Sequence, residues 1–219
     1  MMEQFSGDFQ AAVDGLRAVL GCRGYVWPIS TERASLCAAY DDGTTTSGEV
    51  EVDAGQAEGR YVRRVWLSPP VTIHPAARDA LGHADAVIIG PGSFYTSLLP
   101  PLLVGGVREA IADVKGPVVL VANLLTEGRG MYEFTAADAV RQIGDAIGRP
   151  VDTVLFNATR PPADVLDRYA AEDKRPLPLG DMPSCVEVVE APFWNGPIAR
   201  HHRRRLAYAV WGVLARRLL

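Results

Sequence analysis

The chain has 219 residues, 48% of them hydrophobic and 22% charged, with a formal net charge of −4 at pH 7. That length can bury the core of one full α/β domain, or of a domain with a small lobe. The acidic balance gives no ground for a nucleic-acid partner, and no apolar run approaches the roughly 20 residues a membrane span needs, so a membrane partner is not expected either.

At the N-terminus, Met1–Phe9 lacks both the basic and the apolar part of a signal peptide, which places the chain in the cytoplasm by expectation. Cys22, Cys37 and Cys185 are odd in number and widely spaced, which predicts reduced thiols rather than a disulfide framework or zinc site. Phe9, Ala12, Val13, Leu16, Val19 and Leu20 recur at helical spacing with Gly21 just past the end, predicting an amphipathic helix over residues 8–20. Gly24–Ile29, Ser35–Tyr40, Thr44–Val52 and Tyr61–Leu67 cluster β-forming residues and read as strands. Asp41-Asp42-Gly43 is a hairpin signal too short for a parallel crossover, so these strands predict a small antiparallel patch near the N-terminus. The polar run Asp53–Arg60 reads as a mobile loop.

From Pro70 onward the pattern changes to alternating helix and strand. Helices are predicted at Pro75–Leu81, Gly106–Val114, Ala136–Ile147 and Ala163–Ala171, with a last one from about Ile198 to Leu218. Strands are predicted at Ala86–Ile89, Val118–Ala122, Thr153–Phe156 and Cys185–Val189. The order implies an α/β fold with a Rossmann-like, mainly parallel sheet and flanking helices. Residues 1–69 then form the helix and antiparallel region, and 70–219 the α/β layer, within one compact domain.

Ala84–Ser97 carries the strongest functional signal. The strand breaks at Gly90-Pro91-Gly92 and is followed by hydroxyls at Ser93, Tyr95, Thr96 and Ser97. Glycines flanking a proline let backbone approach a ligand, and a helical turn opening at Ser93 or Thr96 would present free N–H groups to an anion. A phosphate is the natural guest; the alternative is a plain strand-to-helix connection whose Ser and Thr only cap. The strand Val118–Ala122 runs into Asn123-Leu124-Leu125-Thr126-Glu127-Gly128, and Thr153–Phe156 into Asn157-Ala158-Thr159-Arg160. Three such carboxyl ends along one sheet edge predict a common cleft. The basic run Arg200–Arg205, with Arg216 and Arg217, is assigned to the last helix as a solvated face whose first residues can meet an anion. His74, His83, His201 and His202 show neither metal-ligand spacing nor a nucleophile partner, and no G-x-S-x-G elbow is present, which argues against hydrolysis.

Two long stretches, D-A-V-I-I-G-P-G-S-F-Y-T-S-L-L-P-P-L-L-V-G-G-V-R-E-A-I (Asp85–Ile111) and A-N-L-L-T-E-G-R-G-M-Y-E-F-T-A-A-D-A-V (Ala122–Val140), resemble the CofD-like superfamily, in its gluconeogenesis-factor branch called YvcK. The segment S-G-D-F-Q-A-A-V, the hairpin L-C-A-A-Y-D-D-G-T-T-T-S-G-E and the closing A-R-H-H-R-R-R-L-A fit the same family in order and spacing. Family members open with a G-G-G-T-G phosphate loop and an A-D-D-G-G segment, and this sequence starts after both. An N-terminally truncated version of the fold is therefore expected, with a second copy or a separate chain covering the exposed sheet. The family's aspartate after R-H is His202 here.

The resemblance implies a nucleotide or other phosphorylated small molecule as ligand, of the UDP-sugar type, and a regulatory role in carbon metabolism, cell-envelope synthesis or cell shape. It implies no fixed cofactor. Gly90, Pro91, Gly92, Ser93, Thr96 and Ser97 would then meet phosphate or ribose, Tyr95 would stack on a ring, Asn123 and Thr126 would line the second strand end, and Arg200 would pair with a phosphate. The other branch implies a phospholactyl or phosphoenolpyruvyl transferase of deazaflavin coenzyme synthesis. Only that reading brings in magnesium, and no carboxylate cluster at the strand ends is evident for it. A third reading is a split subunit that needs a partner chain.

Overall fold

The computed structural model of this chain describes residues 9–218. Helix α1 (Phe9–Val19) forms where its apolar spacing predicts, yet only Ala12 of that stripe is buried, while Phe9, Leu16 and Val19 stay exposed. The expected strand at Gly24–Ile29 is absent: the segment is irregular, with Tyr25 stacked on Trp27 at 5.3 Å. β propensity expresses packing against a neighbouring strand, and here there is none to pair with.

Strand β1 (Ser35–Tyr40) lies between β2 (Thr45–Ser47) and β3 (Val62–Ser68), antiparallel to both. The Asp42 carboxylate closes the hairpin by accepting the Thr44 N–H at 2.8 Å. The expected third strand stops at Ser47, and Glu49–Ala57 forms helix α2, so neither a strand to Val52 nor a loop from Asp53 exists. Val52, Gly55 and Gln56 are the buried positions, a helical spacing that the Val-Glu alternation of Glu49–Val52 conceals.

Helix α3 (Pro75–Gly82) leads to a second sheet of β4 (Val87–Ile89), β5 (Val118–Val121), β6 (Thr153–Asn157) and β7 (Glu187–Ala191). The order is β4-β5-β6-β7 and every pairing is parallel, as the helix and strand alternation predicts. All four residues of β5 are buried, so the sheet is covered on both faces at its centre. Val118 and Leu120 join a core with the antiparallel sheet and helices α5 (Val107–Ala112) and α6 (Ala136–Ile147). Val119 and Val121 face the opposite core, with Val165 of α7 (Ala163–Ala170), Phe193, Trp194 and Val213. Thr135 and Asp138 start α6 with a reciprocal capping box.

The last expected helix begins later than its composition suggests. Trp194–Asn195 (β8) and Ile198–His201 (β9) form a two-stranded hairpin, and α8 runs over Arg203–Leu218. The turn is Gly196-Pro197 between the paired Asn195 and Ile198, with Gly196 at φ +64°, the glycine-first form of a two-residue hairpin turn. The basic run is thereby split: Arg200 and His201 belong to β9, and Arg203–Arg205 open α8.

Asn157, at the end of β6, anchors this hairpin and does not face the cleft expected of it. Its Oδ1 accepts the N–H groups of Phe193 and Trp194 at 3.0 Å each and of Thr159 at 3.3 Å, and its Nδ2 donates to the Thr159 carbonyl at 2.7 Å. Removing that acceptor takes a partner from the Trp194 and Thr159 N–H groups, while Phe193 N–H keeps the Ala191 carbonyl at 2.9 Å. Asn157→Ala is expected to lower unfolding stability by about 2–4 kcal/mol, read from denaturant titration, with loss of protection at the Trp194 and Thr159 amides in hydrogen exchange.

Candidate functional site

A cleft of about 620 Å³ opens at the carboxyl ends of β4 and β5 and is walled on its far side by β9 and the start of α8. At the end of β4 the chain turns through Gly90 at φ +80°, where a Cβ would come within 3.0 Å of the Val121 carbonyl oxygen. Gly90 is therefore required by the turn's own geometry and does not line the cleft. A π-helical turn, Phe94–Leu98, follows and passes into the short helix α4 (Leu99–Leu102). The Ser93 carbonyl accepts from both Ser97 and Leu98 N–H at 2.8 Å, the widened turn of a π-bulge.

The position where a phosphate was expected is taken by the protein's own carboxylate. Glu127 Oε2 accepts the Phe94 N–H at 2.9 Å and the Ser93 hydroxyl at 3.0 Å, and Thr96 donates to the Ser93 Oγ at 2.6 Å. The Glu127 loop reaches this place because Gly130 lies flat on the end of α2. A Cβ there would sit 2.2 Å from the Arg60 carbonyl oxygen. Burial pushes the Glu127 carboxyl above its ordinary range, against the pull of the Phe94 and Ser93 hydrogen bonds. Asp53 adds to the rise and Lys174 opposes it.

Asn123, at the end of β5, binds Gly92 in both directions: Nδ2 donates to the Gly92 carbonyl at 2.8 Å and Oδ1 accepts the Gly92 N–H at 3.3 Å. Thr126 is fully buried, and its Oγ1 accepts the Arg175 N–H at 3.1 Å. The opposite wall is cationic. Arg200 and Arg203 are exposed there and form no ion pair among the described residues, while Lys174 is held by Glu172 at 2.7 Å. Between them His201 places Nε2 3.2 Å from the Ala122 carbonyl oxygen, and burial lowers its pKa below the usual histidine range.

Of the residues singled out in the sequence, Pro91, Gly92, Ser93, Asn123, Thr126 and Arg200 line this cleft. Thr96 lies behind Ser93, buried. Tyr95 is also buried, its ring edge-on to Phe94 at 5.0 Å, and it borders a different hollow with Arg63 and Arg64 rather than facing a ligand here. Ser97 is exposed and outside the cleft lining. Glu127, Tyr169, Lys174, His201 and Arg203 add polar groups to the lining that the sequence did not single out, and Leu124, Leu125 and Ala199 supply its apolar part. Glu127 was legible within the motif after Thr126 and Arg203 within the basic run; Tyr169 carries no sequence signal. The third strand end opens on an adjoining hollow that shares Asn123 and Leu124 and includes Phe156 and Arg160.

Among the described residues, no group of three or more His, Cys, Asp or Glu side chains is placed to hold a metal ion. No helix among the described residues is long and apolar enough to cross a membrane.

The family model described as "2-phospho-L-lactate transferase CofD" matches residues 1–194. A protein of Bacillus subtilis named gluconeogenesis factor is 34% identical over 178 residues, covering 80% of this chain and 55% of its own length. The gluconeogenesis factor of Listeria monocytogenes is 33% identical over 217 residues, covering 97% of this chain and 66% of its own. The chain thus spans between about half and about two-thirds of the length of these relatives. A crystal structure of a UPF0052-family protein from Bacillus halodurans superposes with a TM-score of 0.87 at 29% identity, over 96% of this chain and 69% of that one.

A carboxylate held above its ordinary pKa weakens the folded state at neutral pH. The folded form retains the proton where the unfolded form, with a value near 4.5, has lost it, so stability falls as pH rises through that interval. Glu127→Gln is expected to melt at a higher temperature than the parent at pH 7. The gap should narrow toward zero as pH falls to 4.5 and below, measured by calorimetry across a pH series.

Proposed function

This chain belongs to the CofD family, in its gluconeogenesis-factor branch, and from that premise we propose that its cleft binds a nucleotide of the UDP-sugar type in a regulatory role in carbon metabolism or cell-envelope synthesis. The observation that carries the reading is the cationic wall of Lys174, Arg200 and Arg203 facing the polar ends of β4 and β5. Guanidinium groups without an ion-pair partner among the described residues, at a parallel sheet's carboxyl edge, suit a phosphate, which they can grip with two parallel hydrogen bonds. Ser93 and Tyr169 add hydroxyls to the same lining. The described features supply recognition but no evident nucleophile, which favours binding over turnover in this reading.

The family model's own description supports a second reading, transfer of a phosphorus-containing group to a deazaflavin hydroxyl. Magnesium-dependent product formation with a deazaflavin acceptor would decide for transfer; nucleotide binding that needs no magnesium and gives no product would decide against it.

We also propose that the chain associates with a second copy or with another chain. β4 is paired on one side only, its Ile88 is 46% exposed, and the apolar stripe of α1 lies open. Such surfaces are usually covered. Light scattering is expected to show a dimer or larger species; a monodisperse monomer over a wide concentration range would remove this proposal.

For the cleft itself, UDP-glucose is expected to raise the melting temperature of the parent by mass action. Arg200→Ala and Arg203→Ala should each weaken binding by about 1.5–3 kcal/mol, roughly ten- to a hundredfold in Kd, and titration calorimetry in rising salt should show the affinity falling.

A further inference from the structure

Tyr95 belongs to the motif that the sequence singles out, yet the cleft does not use it. It borders a hollow of about 290 Å³ between the edge strand β3, α4 and α6, which shares no residue with the cleft lining. That volume stands at the lower end of the range small-molecule sites occupy. Arg63 and Arg64 both border it. Consecutive strand residues ordinarily point to opposite faces, but the register of β1 on β3 shifts here: Tyr40 pairs with Val62 and Ala39 with Arg64, which leaves Arg63 as an extra residue. The bulge breaks the alternation and brings two guanidiniums to one hollow. Neither forms an ion pair among the described residues; Arg64 rests over Trp66 at 5.7 Å. Helix α6 contributes Asp145, an exposed residue whose carboxylate is likewise unpaired among the described residues, and Gln142, which bonds the Tyr95 hydroxyl.

We propose that this hollow is a second binding site, whose ligand is an α-amino acid with an apolar side chain: its carboxylate meets Arg63 and Arg64, and its ammonium meets Asp145. The proposal stands apart from the phosphate reading of the cleft. The charges decide the ligand class. Two adjacent guanidiniums without a counter-ion repel each other, and a carboxylate relieves this by accepting charge-assisted hydrogen bonds from both. Arg63 and Arg64 stand on a sheet and Asp145 on a capped helix, so two rigid elements carry the opposite charges and no ion pair joins them. A molecule bearing both charges satisfies both sides. A simple anion answers the arginines but adds repulsion from Asp145, and a simple cation does the reverse. Leu99, Leu103 and Ala146 give the same lining apolar surface, which suits a hydrocarbon side chain. A peptide brings only one of its two charged termini to a hollow of this size, so the free amino acid is the better match.

The test is titration calorimetry with L-leucine, L-methionine and L-phenylalanine, with the N-acetyl and methyl ester forms of each, and with inorganic phosphate. The proteins are the parent, Arg63→Gln, Arg64→Gln, Asp145→Asn and, as a control in the cleft, Arg200→Ala. At least one free amino acid is expected to bind the parent and raise its melting temperature. Its N-acetyl form lacks the ammonium and its ester lacks the carboxylate, so each should bind about tenfold weaker or worse. Arg63→Gln, Arg64→Gln and Asp145→Asn should each weaken the free amino acid by about tenfold, and Arg200→Ala should leave it within about twofold. Asp145→Asn should also tighten the N-acetyl form, from which it removes a repulsion; damage to the fold would weaken every ligand together. Binding of none of the three amino acids overturns the proposal, and so does equal binding of the capped forms. Amino-acid binding that Arg200→Ala abolishes overturns it by placing the molecule in the cleft. Phosphate binding tighter than any amino acid and lost in Arg63→Gln overturns it in favour of a plain anion site. Each variant is first checked for a single cooperative melting transition, and Arg63→Lys, Arg64→Lys or Asp145→Ser replaces one that lacks it.

Discussion

The cleft depends on one desolvated carboxylate. Glu127 joins the loop after β5 to the turn after β4 by taking the Phe94 N–H and the Ser93 hydroxyl on a single oxygen. That arrangement costs stability, because burial disfavours its charge more than the two donors favour it. It also changes what the glycine-proline turn is for. The turn's first amide is already satisfied within the protein, so the turn positions Ser93 and Glu127 and is not itself the anion cradle.

Around that contact the fold supplies rigidity from the sheet outward. β5 is buried on both faces, so the place where its chain leaves the sheet is fixed by packing against two separate cores. Asn123 then ties β5's end to Gly92 with paired hydrogen bonds, and Gly130 lets the following loop press on α2. The antiparallel sheet and α2 are thus linked to the site through the loop they support, although none of their residues lines the cleft.

Regular spacing made most of the α/β layer legible in the sequence. The sheet's strands were placed to within about two residues, and α6 was bounded correctly, because β-branched runs and a capped amphipathic helix leave local signals. Misreadings arose where a local pattern fitted two structures. Glu49–Val52 alternates like a strand, yet Val50 is exposed and Val52 buried on a helix. Ile198–His201 reads as the start of a basic helix from its composition, whereas the Gly196-Pro197 turn before it makes it the second strand of a hairpin. Site residues divided in the same way. Ser93 and Asn123 could be found because strand ends are where such folds bind, whereas Tyr95 and Thr96 share their motif but turn into the core. His201 lay within the basic run but was not set apart from it, and Tyr169 enters the cleft through tertiary packing alone, with no spacing to announce it.

The two walls of the cleft answer to different physical controls, and this explains how an acidic chain presents a cationic surface there. Net charge sums over the whole molecule, whereas the potential in a hollow is set by the few groups that the backbone delivers to it. Arg200 and His201 are delivered by β9, whose hairpin partner is fastened to the sheet by Asn157 through the Phe193 and Trp194 amides. Arg203 follows one turn later at the head of α8. The wall that carries Glu127 is instead held by β4, β5 and the loop after β5. Disturbing Asn157 therefore displaces the arginine side while leaving the Glu127 carboxylate in place, and disturbing Gly90 or Gly130 does the reverse. The cationic wall and the wall that carries Glu127 are held by separate parts of the fold, which lets either change in evolution without dismantling the other.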